Sequence, residues 1–302
     1  MGDFRGLVLA CGRMGDQLCD IAGGACPYSL PIAGRALISH ALKVLCDAGV
    51  TDATVVVGAT ILEDVAAAIG DAPVEVRYVV HPHGEPESVA LEAAAQALGP
   101  GPVLVHLADS FTPAGLGVVE PGRDLLFTAA GQVVAGALAG PPGAEGLKLA
   151  AAADGAASVE LDGAWKYDGT VDGVLAANQA ALDELKRGRI GSDLSNAEVQ
   201  GRVQIHPTAE LAGAKLRGPA FVGPGAVLTE TYVGPYTTIG ADVRLEGVEI
   251  EHSIVLPGAA IRYPGRRIEA SLVGEGAQIG RDFSLPSALR LRVGRGADIQ
   301  LS

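Results

Sequence analysis

Short apolar runs alternate with helix-patterned segments over the first part of the chain. Four runs are predicted to be buried strands because each is a nearly continuous apolar stretch of strand length: FRGLVLA, ATVVVG, VEVRYVV and PVLVHLAD. The segments between them have helical spacing, as Leu37, Ala41, Val44 and Leu45 show in ALISHALKVLCDAG. Strands separated by helices indicate βαβ units, so the pattern predicts an α/β domain with a mainly parallel sheet.

The carboxyl ends of these strands are where a ligand is expected, because open α/β sheets bind ligands beyond that edge. The ends fall at residues 10–15, Gly58, residues 81–87 and Asp109. Residues 113–164 are rich in Gly and Ala, with two further strands predicted near LLFTAA and ASVELDG. A helix is predicted over VDGVLAANQAALDELKRG, ending at Gly188, and SDLSNAEVQG is expected to be a linker.

From residue 203 the apolar period changes to 17 residues, held in three registers. The registers are Ile205, Val222, Ile239, Leu256, Val273; Leu211, Leu228, Leu245; and Leu216, Val233, Ile250. Short strands with one inward aliphatic per side form a triangular coil, the parallel β-helix. We therefore predict two domains, an α/β domain over residues 1–190 and a β-helix over residues 200–302.

Composition narrows the functional classes. A net charge of −13 argues against nucleic acid as a partner. We expect no membrane association, because no apolar run reaches spanning length and MGDFRG lacks the features of a signal peptide. The four cysteines include no CxxC pair, which favours reduced thiols and a cytoplasmic protein.

Several segments resemble the sugar-1-phosphate nucleotidyltransferases, above all the long glucose-1-phosphate thymidylyltransferases. They are LACGRMGDQLCD, CPYSLPIAGRALI, HLADS, AWKYDGTVDGVLAAN, VGPYTTIG, EIEHSIVLPGA and RIEASLVG. The resemblance implies a Rossmann-like nucleotidyltransferase domain followed by a left-handed parallel β-helix of hexapeptide repeats. The first domain is shortened here, because the region after residue 110 is shorter than in the family and lacks its E-K-P sugar motif.

The resemblance also implies nucleotidyl transfer, in which a sugar phosphate attacks the α-phosphorus of a nucleoside triphosphate and pyrophosphate leaves. The charged transition state requires cations, which the family supplies as a loop arginine, a lysine and Mg²⁺ held by two aspartates. In this chain the threonine and arginine of the loop motif L-A-G-G-x-G-T-R-L-x-P fall on Asp16 and Gln17, and the lysine falls on Pro27. The loop therefore lacks the cations that the reaction needs.

The implied metal site is also incomplete. Asp109 of HLADS matches the first metal aspartate, whereas the second position of W-x-D-x-G is Tyr167. Asp168 lies one place further along, so we predict Asp109 and Asp168 as the ligands of any divalent metal, with Mg²⁺ as the implied cofactor. Ligand binding is predicted for residues of the former phosphate loop and of the segment that replaces the base-binding G-L-A: Gly12, Arg13, Gly15, Asp16, Gln17, Gly84, Glu85 and Glu87.

The segment HPHGEPE is the most unusual local feature. In an extended chain His81 and His83 point the same way, and Glu85 or Glu87 could add oxygen ligands. With Asp109 at a neighbouring strand end, His81 and His83 would form a catalytic site for a different substrate. The alternative is an acidic surface loop without catalytic function.

Three functions follow from these observations. The leading hypothesis is a degenerate homologue without nucleotidyl transfer, which binds a sugar nucleotide or another small ligand, or acts as a regulatory or structural protein. The second is a repurposed enzyme that uses the histidine and acid cluster. The third is a weak glucose-1-phosphate thymidylyltransferase. The resemblance further implies a homo-oligomer or a pairing with an active paralogue, since the β-helix of relatives packs between subunits.

Overall fold

A computed structural model describes residues 4–10, 18, 21, 27–81, 87–113, 115–116, 124–141, 157–185, 196–281 and 289–292. The chain divides into two compact units. The α/β unit comprises residues 1–14, 26–30 and 35–167, and the β-helix unit comprises residues 15–25, 31–34 and 168–302. The described residues include no helix long and apolar enough to cross a membrane.

The predicted helices and strands of the first half occur in the predicted order, together with strands that were not predicted. The helices are α1 Leu37–Asp47, α2 Leu62–Ile69, α3 Glu87–Leu98 and α4 Val171–Asp183, with short 3₁₀ helices at Pro27–Ser29 and Ala59–Ile61. The first eleven strands are β1 Arg5–Ala10, β2 Pro31–Ile32, β3 Arg35–Ala36, β4 Asp52–Gly58, β5 Glu75–His81, β6 Val103–Leu107, β7 Ser110–Phe111, β8 Leu125–Ala129, β9 Gln132–Leu138, β10 Ala157–Glu160 and β11 Trp165–Lys166.

Seven strands of the α/β unit form one sheet in the order β10-β8-β9-β6-β1-β4-β5. The four strands predicted from the apolar runs, β6, β1, β4 and β5, are neighbours and parallel. Strand β9 is antiparallel to both β6 and β8, and β10 is parallel to β8. The Rossmann-like α/β prediction is therefore confirmed, including the two strands expected between residues 113 and 164.

The core of the α/β unit lies on both faces of the sheet because successive side chains of a strand point to opposite sides. On β1, Val8 and Ala10 belong to the cluster that contains Ile38 and Leu42 of α1. Leu7 and Leu9 belong to the other cluster, which contains Leu98 of α3. Both faces are covered, which explains why the buried strands are continuously apolar.

All but the last of the remaining strands form the coils of a left-handed parallel β-helix, as predicted, and the last strand pairs antiparallel with the one before it. Their bounds are β12 Ala197–Gln200, β13 Val203–Ile205, β14 Glu210–Ala212, β15 Ala214–Arg217, β16 Ala220–Val222, β17 Val227–Thr229, β18 Tyr232–Val233, β19 Thr237–Ile239, β20 Arg244–Glu246, β21 Glu249–Glu251, β22 Ile254–Val255, β23 Ala260–Arg262, β24 Ile268–Glu269, β25 Leu272–Val273, β26 Gln278–Arg281 and β27 Leu289–Arg292. Three sheets result: β12-β15-β18-β21-β24, β13-β16-β19-β22-β25 and β14-β17-β20-β23-β26-β27.

The 17-residue registers are confirmed except at one position. The stack runs from Ile205 through Val222 and Ile239 to Val255, not to Leu256 as the period predicted. The corner between Ile250 and Val255 is one residue shorter than the equivalent corners of the two preceding coils. The later step from Ile261 to Ile268 is two residues longer than the equivalent step from Leu245 to Ile250, and the step from Ile268 to Val273 is again one residue shorter, so the stack returns to register at Val273.

Two boundaries differ from the prediction. Helix α4 ends at Asp183 rather than near Gly188. The segment expected to be a linker contains strand β12, whose Val199 pairs with Leu216 of β15. Strand β12 thus opens the first sheet of the β-helix, and its Val199 packs against the β-helix core. A single half-buried apolar residue between acidic and polar neighbours gave no strand signal in the sequence.

Candidate functional site

The carboxyl ends of the four parallel strands meet at one edge of the sheet, as predicted. Ala10 of β1 is in register with Val57 of β4, and Gly58 at the end of β4 pairs with His81 at the end of β5. On the other side, Leu9 of β1 pairs with Leu107, the last residue of β6. The residues that follow these strands therefore begin from a common edge.

Asp109 is held at this edge by backbone hydrogen bonds on both sides. The Ala108 N–H donates to the Leu9 carbonyl at 2.9 Å, which ties the turn after β6 to β1. The Tyr167 N–H donates to the Asp109 carbonyl at 2.8 Å. Strand β11 pairs antiparallel with β7, with Lys166 opposite Ser110, so the next residue of each strand brings Tyr167 opposite Asp109.

The carboxylate of Asp109 forms an ion pair with Lys166. The Lys166 Nζ donates to Asp109 Oδ1 at 2.7 Å, and the two side chains are 22% and 31% exposed. This distance is that of a charge-assisted hydrogen bond. Because water screens the pair only in part, the pair holds its geometry better than a fully exposed one would.

His106, three residues before Asp109, is fully buried, and both of its ring nitrogens form hydrogen bonds. Its Nδ1 lies 2.9 Å from the Leu107 carbonyl, so Nδ1 carries the proton and donates. Its Nε2 then accepts from the Thr112 hydroxyl at 3.1 Å. Burial lowers the pKa of His106 to about 4, which keeps the imidazole neutral near pH 7. Strand β6 ends at Leu107, between His106 and Asp109, so the alternation of side chains along a strand does not decide the relative positions of these two residues.

Two other predicted positions are described in the α/β unit. His81, a predicted catalytic residue, is the last residue of β5 and is buried. Pro27, at the position of the family's lysine, is buried in the first 3₁₀ helix together with Tyr28. A buried proline offers neither a positive charge nor a backbone donor.

Asp168, the second predicted metal ligand, belongs to the β-helix unit, where it organises the start of α4. Its Oδ1 accepts from the Thr170 N–H at 2.9 Å and from the Thr170 hydroxyl at 2.8 Å. The Thr170 hydroxyl in turn accepts from the Gly173 N–H, which makes Thr170 the N-cap. A Cβ at Gly173 would lie 2.3 Å from Asp168 Oδ1, so this arrangement requires glycine there.

The other predicted site residues lie outside the described part of the chain. This holds for His83 and for seven predicted ligand-binding residues: Gly12, Arg13, Gly15, Asp16, Gln17, Gly84 and Glu85. Glu87 is the first residue of α3, and its side chain is outside the described residues as well. Their assignment to ligand binding or catalysis stays a prediction.

The described donor set does not fit the Mg²⁺ that the resemblance implies. Mg²⁺ takes oxygen ligands, usually including one or two free carboxylates. Asp109 instead faces an ammonium group, and Asp168 accepts two hydrogen bonds at a helix cap. Within the described ranges, no three His, Cys, Asp or Glu side chains are grouped closely enough to hold a metal ion.

Asn178 is a key residue of the A-A-N segment to which the sequence analysis gave no role. It is fully buried in α4 and makes three hydrogen bonds within the β-helix unit. Its Oδ1 accepts from the Ala33 N–H at 2.9 Å and from the Thr238 hydroxyl at 2.7 Å, and its Nδ2 donates to the Tyr236 carbonyl at 3.2 Å. A lone polar residue on the apolar face of a predicted helix was the available signal.

No protein-family model matches the chain. Two curated relatives are glucose-1-phosphate thymidylyltransferases, from Streptomyces antibioticus and Streptomyces griseus. They are 26% and 27% identical to this chain, over 99% of its length and 99% and 100% of theirs. These alignments extend over 358 and 360 positions, against 302 residues here, so they contain gaps in this chain.

A third relative is a low-salt glycan biosynthesis nucleotidyltransferase from Haloferax volcanii, 34% identical over 47% of this chain and 40% of that protein. Among solved structures, a glucose-1-phosphate thymidylyltransferase from Bacillus anthracis covers 60% of this chain and 95% of its own, at 18% identity and a TM-score of 0.48. The similarity to both Streptomyces enzymes extends over essentially the whole chain. The chain is therefore a homologue of the glucose-1-phosphate thymidylyltransferases, within the sugar-1-phosphate nucleotidyltransferases.

Proposed function

We propose that this homologue does not transfer nucleotides and acts as a binding protein for a sugar nucleotide or a related phosphate-bearing ligand. The observation that carries the proposal is the buried Pro27 at the position of the family's lysine. A side chain that packs into the interior and carries no charge cannot replace a cation beside a phosphate.

The sequence of the phosphate loop supports the same conclusion. Asp16 and Gln17 stand where the family has threonine and arginine. An added carboxylate repels phosphate oxygens, whereas the lost arginine and lysine would each have stabilised the charge that develops in the transition state. Each lost contact of this kind costs about 2–4 kcal/mol of transition-state stabilisation. Several losses together reduce the rate by many powers of ten.

The proposal is tested by assaying pyrophosphate release from thymidine triphosphate and glucose 1-phosphate with Mg²⁺. The Streptomyces griseus relative, purified in the same way, serves as the positive control. We expect release at the level of the protein-free blank. Sustained Mg²⁺-dependent release that is abolished in Asp109→Asn would instead establish the weak-transferase alternative.

Ligand binding is measured separately, by thermal shift and calorimetry with a thymidine diphosphate sugar. Binding to the folded state raises the melting temperature, and the stabilisation grows with the logarithm of the ratio of free ligand concentration to Kd. Saturable binding without turnover is the expected result. If neither binding nor turnover occurs, the β-helix is the part to test next, by sedimentation for a homo-oligomer, because unpaired strand edges at the ends of a β-helix are surfaces that another subunit can cover.

A further inference from the structure

We propose that Lys166 is the resident cation of the Asp109 carboxylate and, with Tyr167, replaces the divalent-metal site. A diphosphate ligand then meets a protein ammonium group in place of a metal ion. This inference rests on the proposed function, because it concerns the ligand site of a protein that binds without transferring nucleotides.

The backbone fixes the three residues against each other. The antiparallel pair of β7 and β11 places Trp165 opposite Phe111 and Lys166 opposite Ser110. The hydrogen bond from the Tyr167 N–H to the Asp109 carbonyl extends this pairing by one residue. Tyr167 therefore stands directly opposite Asp109, where a second carboxylate would have completed a two-aspartate site. Its ring contacts Trp165 edge-on, with centroids 5.9 Å apart.

The ion pair excludes a metal for two reasons. The Lys166 ammonium lies 2.7 Å from Asp109 Oδ1, where it uses the oxygen that a metal would bind. Mg²⁺ approaches a ligand oxygen to about 2.0–2.1 Å, so a metal there would also stand close to a like charge. Tyr167 adds a phenol in place of the carboxylate that would compensate this repulsion.

The same arrangement suits an anion. An ammonium group has three N–H donors, and the bond to Asp109 uses one of them. The Lys166 side chain is 22% exposed, so a ligand oxygen can reach it from the solvent side. Phosphate oxygens are strong acceptors, and charge-assisted bonds to them are stronger than neutral ones. Diphosphate is thus the ligand class that this site would recognise.

Metal exclusion is tested with Mn²⁺, whose free concentration is read by electron paramagnetic resonance at 150 mM salt. The variants are K166M/Y167D, which removes the ammonium and adds a carboxylate, and K166R/Y167D, which keeps the positive charge. We expect no saturable Mn²⁺ site in the wild type. K166M/Y167D should have one site, with an affinity for Mn²⁺ at least about tenfold higher than the weak binding of the wild type. K166R/Y167D should bind Mn²⁺ no more tightly than the wild type. D109N in the K166M/Y167D background must abolish the gain. Thermal melts verify that each variant folds.

Several results would overturn the inference. A wild-type Mn²⁺ site that Asp109→Asn removes would show that Lys166 does not exclude metal. An equal gain in Mn²⁺ affinity in K166M/Y167D and K166R/Y167D would show that the charge of Lys166 does not exclude the metal. No gain in K166M/Y167D would show that Lys166 and Tyr167 are not the residues that remove the metal site.

The ligand half is tested by calorimetry with inorganic pyrophosphate in EDTA. We expect the wild type to bind and Lys166→Met to weaken binding at least about tenfold. An unchanged affinity, or binding only with Mg²⁺, would overturn it. Transfer activity in EDTA would defeat the proposed function alone, whereas a wild-type Mn²⁺ site without transfer would defeat this inference alone.

Discussion

The amide of Asn178 in α4 and the hydroxyl of Thr238 in β19 are joined by a buried hydrogen bond of 2.7 Å. Thr238 and Asn178 are both fully buried, and the same amide also binds the backbone of Ala33 and Tyr236. One side chain thus connects a helix, the residues before α1 and the second sheet of the β-helix. Such a fully satisfied buried network stabilises a unique arrangement.

Replacing Asn178 should therefore destabilise the β-helix unit strongly. Asn178→Ala leaves the Ala33 N–H and the Tyr236 carbonyl without their side-chain partner, at a cost of about 2–4 kcal/mol in the free energy of unfolding. The matched control is Gln179→Ala, whose exposed neighbouring side chain should change stability by less than about 0.5 kcal/mol. Urea unfolding followed by circular dichroism measures both, and equal effects would refute the role of the network.

The Asp109–Lys166 pair is expected to contribute to stability as well as to the site. Lys166→Met leaves a partly buried carboxylate without its cation, which should cost about 1–2 kcal/mol, between the values of exposed and buried pairs. Lys43→Met is the control, because its pair with Asp47 is exposed on α1 at 47% for each side chain. We expect its loss to cost no more than about 0.5 kcal/mol.

Salt distinguishes the two pairs further. Raising NaCl from 0.1 to 1 M should shrink the effect of Lys43→Met and leave most of the effect of Lys166→Met, because partly buried charges are screened less. The comparison uses urea unfolding at both salt concentrations. If both effects vanish in salt, Lys166 belongs with ordinary surface lysines.

Much of the architecture followed from periodicity. Continuous apolar runs predicted β1, β4, β5 and β6 because both faces of that sheet are covered. The 17-residue period predicted which aliphatic residues stack, and it was wrong at Leu256 because the corner before that position is one residue shorter than its equivalents. A period averages over several coils, so it cannot register a local deletion that a later insertion compensates.

The site was less accessible to sequence reasoning. The ends of the predicted strands indicated the position of Asp109. The partner of Asp109 was not predicted, since Lys166 occupies a variable position of the resembling motif and only the antiparallel pair of β7 and β11 brings it near. Asp168 was chosen for its charge, whereas its carboxylate serves the cap of α4. Spacing along the chain shows which residue types are present, but it does not show with which partner each side chain forms its ion pair or hydrogen bonds in the folded protein.

The β-helix corner at Gly223 should tolerate no side chain. A Cβ there would lie 2.9 Å from the Gly240 carbonyl carbon and 3.0 Å from the Ala241 nitrogen, which are backbone atoms of the next coil. Gly223→Ala must push the coils apart and should cost about 1–3 kcal/mol. Gly140→Ala is the control, because a Cβ there meets nothing within 4 Å. Melting temperatures that fall equally in both variants would contradict the stacking argument.

His106 should make the stability of the α/β unit depend on pH. Its pKa is lowered to about 4, chiefly by burial, with Lys166 and His40 adding to the decrease and the Leu107 carbonyl and Asp109 opposing it. An unfolded histidine has a pKa of about 6.5. Above pH 6.5 the side chain is neutral in both states. As the pH falls from 6.5 to 4, His106 becomes protonated in the unfolded chain but stays neutral in the folded chain, so the free energy of unfolding decreases.

The loss should reach about 3 kcal/mol by pH 4. His106→Gln removes the titrating group while its amide can still donate and accept, so its free energy of unfolding should fall less steeply than that of the wild type between pH 6.5 and 4. His206→Gln removes an exposed histidine and should follow the wild-type curve. Urea unfolding at half-unit pH steps gives the three curves. Parallel slopes for wild type and His106→Gln would mean that the buried imidazole is protonated in the folded protein, against the hydrogen bonds that Leu107 and Thr112 make with it.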